Sequence, residues 1–172
     1  TLNDGTEIQH VPEANQWTRF DDPAWSLYDN DIENRDLYGA MYNWYAVKTG
    51  KLCPQGWRVP DNDDWDKLTD FLGGLEVAGG KLKEPGVEHW DPPNTGADNE
   101  SGFSALPGGY RYGQFWGTGR SLEAGLNGYW WSATECTGTH SWSRTVHAKN
   151  TKVYRSFFTK NKGFNVRCIK ED

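Results

Sequence analysis

The clearest pattern in the chain is an alternation from Trp142 to Lys149. Trp142, Arg144, Val146 and Ala148 fall on one side, and Ser143, Thr145, His147 and Lys149 on the other. That is the period of a half-buried strand. Tyr129-Trp130-Trp131-Ser132, Val153 to Phe158 and Phe164 to Ile169 are rich in aromatic and β-branched residues and read as three more strands. The C-terminal third is therefore predicted to be an antiparallel sheet with short connections. The period changes after Pro60: Trp65, Leu68 and Leu72 recur at i, i+3 and i+7 with Phe71 beside them, which predicts a helix over about residues 62 to 72. Its boundaries follow from local chemistry. Trp57 to Val59 reads as a short strand whose large side chains need a core, Pro60 forbids its continuation, and Asp61 is a good N-cap. Asn62, Asp63 and Asp64 place acceptors and negative charge on the first turn, where free N–H groups and the helix dipole favour them. Gly73-Gly74 supplies the positive-φ stop.

Elsewhere the periodicity is weaker. Asn3-Asp4-Gly5-Thr6 is a turn signal, read as the turn of a hairpin whose strands begin upstream. Residues 10 to 36 are polar and loop-like, anchored by Trp17, Phe20, Trp25 and Tyr28. Tyr38 to Val47 is aromatic-rich and fits strand or helix, with strand favoured. Val77 to Lys83 suits a short helical turn, and Glu84 to Glu100, with its Pro and Gly residues, a long ordered loop. Phe103 to Leu106 and Gly109 to Tyr112 read as strand pieces around Pro107-Gly108. No repeat or second domain is evident, so residues 1–172 are read as one α+β domain.

Composition adds a core of rings. A chain of 172 residues buries roughly 70% of its unfolded surface, so no covalent staple is obligatory. Ten Trp, eight Tyr and seven Phe beside twenty Gly describe a few large side chains joined by tight turns. No apolar run reaches the roughly 18 residues of a membrane helix, and any export signal or lipid anchor is expected to precede Thr1. Charge is uneven: residues 1 to 137 carry net −12, and residues 138 to 172 carry net +6. The basic end either steers an acidic ligand or solvates exposed strands. Nucleic acid is disfavoured as a partner, because the net charge of −6 opposes a long polyanion.

Three cysteines allow at most one internal disulfide. Pairing Cys53 with Cys168 would tie the middle of the chain to its end, contribute about 4 kcal/mol in the chain-entropy model, and leave Cys136 unpaired. The alternative is three small buried hydrophobes.

Candidate chemistry is sparse. Asp61 to Asp64 lacks the alternating ligands, central Gly and distal Glu of a calcium loop. The oxygen-rich stretch Asp91, Asn94, Asp98, Asn99 and Glu100 is the one place where calcium would fit, against a capped, solvated loop; no other cofactor is indicated. The four His residues lack ligand spacing, and no Cys-x-x-Cys, Gly-x-Ser-x-Gly or His-Glu-x-x-His motif occurs. Gly79-Gly80-Lys81 lacks phosphate-loop spacing. Cys136 and His140, at i and i+4, form a weak nucleophile and base pair with no orienting partner. The outward residues of the terminal strands are more suggestive. Ser143, Thr145, His147, Lys149, Tyr154, Ser156, Phe157, Phe158 and Thr159 combine aromatic, hydroxyl and basic groups able to stack on sugars or fill protein pockets. One of Phe157 and Phe158 must face inward.

Six motifs in order, Tyr38 to Val47, Cys53 to Trp65, Ala78-Gly79-Gly80-Lys81-Leu82-Lys83, Gly102 to Arg111, Tyr129 to Glu135 and Gly163 to Cys168, resemble the Fibrobacter succinogenes major paralogous domain family. That resemblance covers nearly the whole chain; only the family's extreme N-terminal strands are missing. It implies a C-type lectin-like fold of the branch that includes formylglycine-generating enzymes, with a small twisted antiparallel sheet, two helices and long loops. It also implies an exported protein of the bacterial surface, commonly lipid-anchored, where the Cys53 to Cys168 pairing is easier to sustain. In related lectin-like proteins diversified by retroelements, the stretch matching Glu135 to Lys162 varies on a fixed scaffold. Here the varied positions would be Cys136, Thr137, Thr139, His140, Ser143, Thr145, His147, Lys149, Tyr154, Ser156, Phe157, Phe158 and Thr159. Trp142, Arg144, Val153, Arg155, Gly163 and Phe164 would be framework. The expected function is a noncatalytic binding module for a glycan or a surface protein. The alternatives are a structural or adhesive spacer and, last, a formylglycine-generating type of enzyme, for which a lone Cys136 cannot form a two-thiolate copper site.

Overall fold

A computed structural model describes residues 1–112 and 120–171. The strand-period segments form the largest unit: β5 (Gly108–Arg111), β6 (Ser121–Ala124), β7 (Asn127–Glu135), β8 (His140–His147) and β9 (Val153–Thr159), ordered β6-β5-β7-β8-β9. All pairings are antiparallel except β5 with β7, which meet in parallel at Gly109 and Gly128. Two smaller sheets flank it. β1 (Gln9–His10), β2 (Ala24–Ser26) and β3 (Met41–Tyr42) form one, and β4 (Trp57–Arg58) pairs with β10 (Ile169–Lys170) in the other. Five α-helices occur among the described residues, α1 (Ala14–Trp17), α2 (Glu33–Tyr38), α3 (Trp44–Lys48), α4 (Asn62–Phe71) and α5 (Ala78–Leu82), beside one 3-10 turn at Tyr28–Asn30. The molecule is thus α+β, but with five short helices rather than two; only α4 exceeds two turns.

The α4 boundaries fall where local chemistry places them. Asp61 accepts from the Asp64 N–H at 3.0 Å, and Asp64 returns a bond to the Asp61 N–H at 2.9 Å, a reciprocal capping box. Gly73 and Gly74 both take positive φ, and the Gly74 N–H donates to the Thr69 carbonyl at 2.8 Å. Two expectations about this region fail. Phe71 is 87% exposed, because at helical spacing it falls off the face that Trp65, Thr69 and Leu72 bury, and Trp57 lies half out of the protein while Val59 is buried.

Three other differences have physical causes. Tyr38 to Val47 is not a strand: Asn43 caps α3 through a bond from the Ala46 N–H at 3.1 Å, leaving a two-residue β3 before it. Residues 10 to 36 hold short elements whose apolar repeats are too brief to show a period. Phe164 to Ile169 is broken, because Phe164 bridges to Tyr42 and Asn165 to Trp130 before β10 begins. In α5 the Gly-Gly pair is a packing device. A Cβ at Gly79 would stand 2.3 Å from the Lys152 carbonyl oxygen, and one at Gly80 2.4 Å from that of Gly96.

The core is divided by the large sheet. One cluster, with Trp65, Leu72, Leu82, Trp90, Trp130, Val146 and Val153, lies on the α4 side. The other, with Trp44, Val47, Cys53, Val59, Tyr129, Trp131 and Phe164, lies on the opposite side. Three buried indoles donate to backbone oxygens: Trp44 to Ser132 at 2.9 Å, Trp131 to Tyr42 at 2.8 Å and Trp90 to Ala105 at 3.0 Å. Cys53 and Cys168 are disulfide-bonded with Cα atoms 5.8 Å apart, joining the α3–β4 connection to the C-terminal segment; Cys136 is free.

Candidate ligand-binding surface

The β8–β9 hairpin carries the residues singled out from the sequence, and its register decides which are available. Trp142 pairs with Phe157, Ser143 with Ser156, Arg144 with Arg155 and Thr145 with Tyr154. Paired residues point to the same face. Trp142, Arg144, Arg155 and Phe157 therefore share the α4 side, and Ser143, Thr145, Tyr154, Ser156 and Phe158 share the other.

The period-two reading of β8 is right, but the inference that its polar side is exposed is not. Ser143 is fully buried and its Oγ donates to the Ser156 carbonyl at 3.2 Å; Thr145 is buried too. The cause is that β8 is an inner strand covered on both faces, by α4 on one and by the Tyr129–Phe164 cluster on the other. Phe158 also faces inward, with its ring 5.2 Å from Phe164 and 6.1 Å from Tyr129. His147, Lys149, Tyr154 and Ser156 remain along the rim of that face. The Lys149 N–H donates to His147 Nδ1 at 2.9 Å, and Asn150 donates to the Tyr154 hydroxyl at 3.0 Å. Burial and then the nearby Lys149 lower the His147 pKa, which keeps the ring neutral as this acceptor requires.

The open ground lies on the α4 side, beyond the helix. Phe157 is 54% exposed. Its ring stands edge-on to Trp142 at 5.6 Å and to His140 at 5.8 Å. The Arg155 guanidinium lies 4.7 Å from the Trp142 ring centroid and reaches Asp66 of α4 at 3.3 Å. Arg144, one step inward and buried, donates to Asp66 at 2.6 Å and to Asn62 at 3.0 Å. The result is one exposed ring, Phe157, backed by the half-buried rings of His140 and Trp142 and edged by the Arg155 cation. Trp142 and Arg155 were read as framework; their assignment needed the cross-strand register, which sequence alone does not supply. Thr159 pairs with His140 at the same end.

The basic end of the chain is largely committed internally. Lys160 is buried, paired with Glu135 and bonded to the Gly138 carbonyl at 2.9 Å; Lys152 pairs with Glu76 at 2.6 Å. The buried Lys162 amine sits 4.1, 4.8 and 5.0 Å from the ring centroids of Tyr110, Tyr112 and Phe158, and burial lowers its pKa to about 8. Phe158 is a wall of that cage. Lys149, Arg167 and Lys170 stay exposed and make no ion pair among the described residues.

The suggested calcium residues serve the loop. Asn94 donates to the Glu84 and Gly86 carbonyls, Asp98 accepts from the Glu100 N–H, Asn99 bonds Ser104, and Glu100 pairs with Lys81. Among the described residues no three His, Cys, Asp or Glu side chains converge on a metal position. Cys136 and His140 face each other across a turn, joined through the Cys136 N–H to the His140 carbonyl at 3.1 Å; the His140 ring nitrogen bonds Thr139 instead. No helix among the described residues is long and apolar enough to cross a membrane.

No curated protein and no solved structure matches the chain. A family model described as the Fibrobacter succinogenes major domain covers residues 1–170, and the chain belongs to that family.

Proposed function

We propose that this chain is a noncatalytic ligand-binding module whose recognition surface is the open end of the β8–β9 hairpin, centred on Trp142 and Phe157 and bordered by His140, Arg155 and Thr159. The observation that carries the reading is the exposed ring of Phe157, on the edge strand β9, held edge-on by Trp142 and His140 of β8. Exposed aromatic faces with an adjacent cation suit the apolar faces of sugar rings or an aromatic pocket on a protein. His147, Lys149, Tyr154 and Ser156 form a second, more polar rim on the opposite face.

The frame is proposed to be C-type lectin-like: a small twisted sheet, a capped helix packed on it, and a long loop from Glu84 to Pro107. The surface positions would tolerate diversification, since they contribute little to either core. The Cys53–Cys168 bond supports an oxidising location, and the proposal places the protein outside the bacterial cytoplasm, at the cell surface on a lipid anchor. The ligand is a glycan or a surface protein, bound without metal or catalysis.

A glycan and surface-protein binding screen comparing the chain with Phe157→Ala tests the reading. Truncating an exposed anchor ring is expected to weaken binding by about 1–2 kcal/mol while leaving the fold intact. A ligand bound equally well by a folded Trp142→Ala/Phe157→Ala double variant would remove the surface from consideration, and the absence of any ligand would favour a spacer role.

A further inference from the structure

A second, concave site lies where α4 meets the C-terminal segment, and it shares no residue with the hairpin patch. A cavity of about 430 Å³ is lined by Pro60, Trp65, Leu68, Phe103, Cys168 and Ile169 among others, and a neighbouring one of about 380 Å³ adds Tyr38, Tyr42 and Trp130; Phe103 and Arg167 line both. These volumes lie in the range of small-molecule sites, roughly 300–1,000 Å³.

The walls are held by ring contacts and a covalent bond. The Phe103 ring is edge-on to Trp130 at 5.4 Å and tilted against Trp65 at 5.9 Å. The Arg167 guanidinium stacks 4.5 Å from the Phe103 centroid and donates to the Phe103 carbonyl. The disulfide at the next residue, Cys168, anchors the segment that carries Arg167.

Charge selects the ligand. Two cations, Arg167 and Lys67, border the larger cavity, and among the described residues neither makes an ion pair. The one acid lining it, Asp64, is already held by two bonds from Arg58, at 2.5 and 2.9 Å, and by its capping bond to the Asp61 N–H. Arg58 holds the Asp64 carboxyl below its ordinary pKa, so it stays an occupied anion. Of the five donors on the Arg167 guanidinium, one bond to the Phe103 carbonyl is made within the described residues. An apolar cleft with unpaired cations at its edge favours an anion on a hydrophobic body.

We infer that the cleft between α4 and the Val166–Ile169 segment binds a small carboxylate with an aromatic or apolar body, its ring against Phe103, Trp65 and Leu68 and its carboxylate on Arg167 and Lys67. A volume of about 430 Å³ is enough for one ring with a short acidic arm.

The test is titration of the intact chain with 3-phenylpropionate and, separately, its neutral amide, followed by two-dimensional NMR and calorimetry. The acid is expected to saturate with shifts centred on Trp65, Leu68 and Phe103. The amide and Arg167→Gln should each bind about tenfold more weakly, the value of one charged hydrogen bond. Lys67→Gln, an exposed helix position, decides the matter if Arg167→Gln fails to fold. Equal binding of acid and amide, undiminished binding by the folded variant, shifts centred elsewhere, or no saturation by about 10 mM acid would each overturn the inference. None of these outcomes depends on the hairpin surface, so this site and that one fail separately.

Discussion

Lys83 shows how much one residue can join. Its amine is fully buried and donates to three carbonyls, Thr95 at 3.0 Å, His147 at 3.1 Å and Asn150 at 3.0 Å. It therefore fastens the long loop after α5 to the turn between β8 and β9. Lys83→Met keeps the volume and orphans three acceptors, so urea unfolding is expected to show a loss of about 3 kcal/mol; a loss under about 1 kcal/mol would mean that water replaces the amine. Nothing in the sequence marks this lysine as buried. Side-chain burial of a polar residue depends on carbonyls supplied by segments 12, 64 and 67 residues away. The same reason hid Lys162, whose cage draws on Tyr110 and Tyr112 from a distant part of the chain. Asp61 was legible because its partner, Asp64, is three residues off.

Elements follow the same division between near and far information. α4 and the strands β7, β8 and β9 were readable because each carries its own period and its own stop signals. What they bury was only half readable. Alternation in β8 tells that its residues divide into two faces, but not that both faces are covered, and so Ser143 and Thr145 passed for surface while Trp142 passed for framework. The joint between α4 and the sheet turns on Arg144, whose guanidinium bonds Asn62 and Asp66. Since Asp66 is 39% exposed, part of the ion pair is screened by water. Arg144→Met is accordingly expected to cost about 2 kcal/mol and, by releasing Asp66, to loosen Arg155 over Trp142. Thermal unfolding checks the first effect. An unchanged melting temperature would show that the Trp65 and Trp130 packing alone fixes the helix.

At the scale of the molecule, two aromatic cores back a sheet whose outer hairpin ends in the open, and a disulfide ties the C-terminal segment to the middle of the chain. The family and the α+β class were legible from motifs, and the residues singled out on the β8–β9 hairpin divide between its two faces. Much of the basic charge of the last segment is buried or paired, in Arg144, Lys152, Arg155, Lys160 and Lys162, which shifts the expected recognition from charge to aromatic contact. Radical footprinting of aromatic side chains, with and without the strongest ligand from the screen, tests that claim most directly. Phe71, 87% exposed and remote in sequence, serves as the internal reference. The account predicts protection of Phe157 and Trp142 with Phe71 and Trp57 labelled as before. Full labelling of Phe157 in the saturated complex would contradict it.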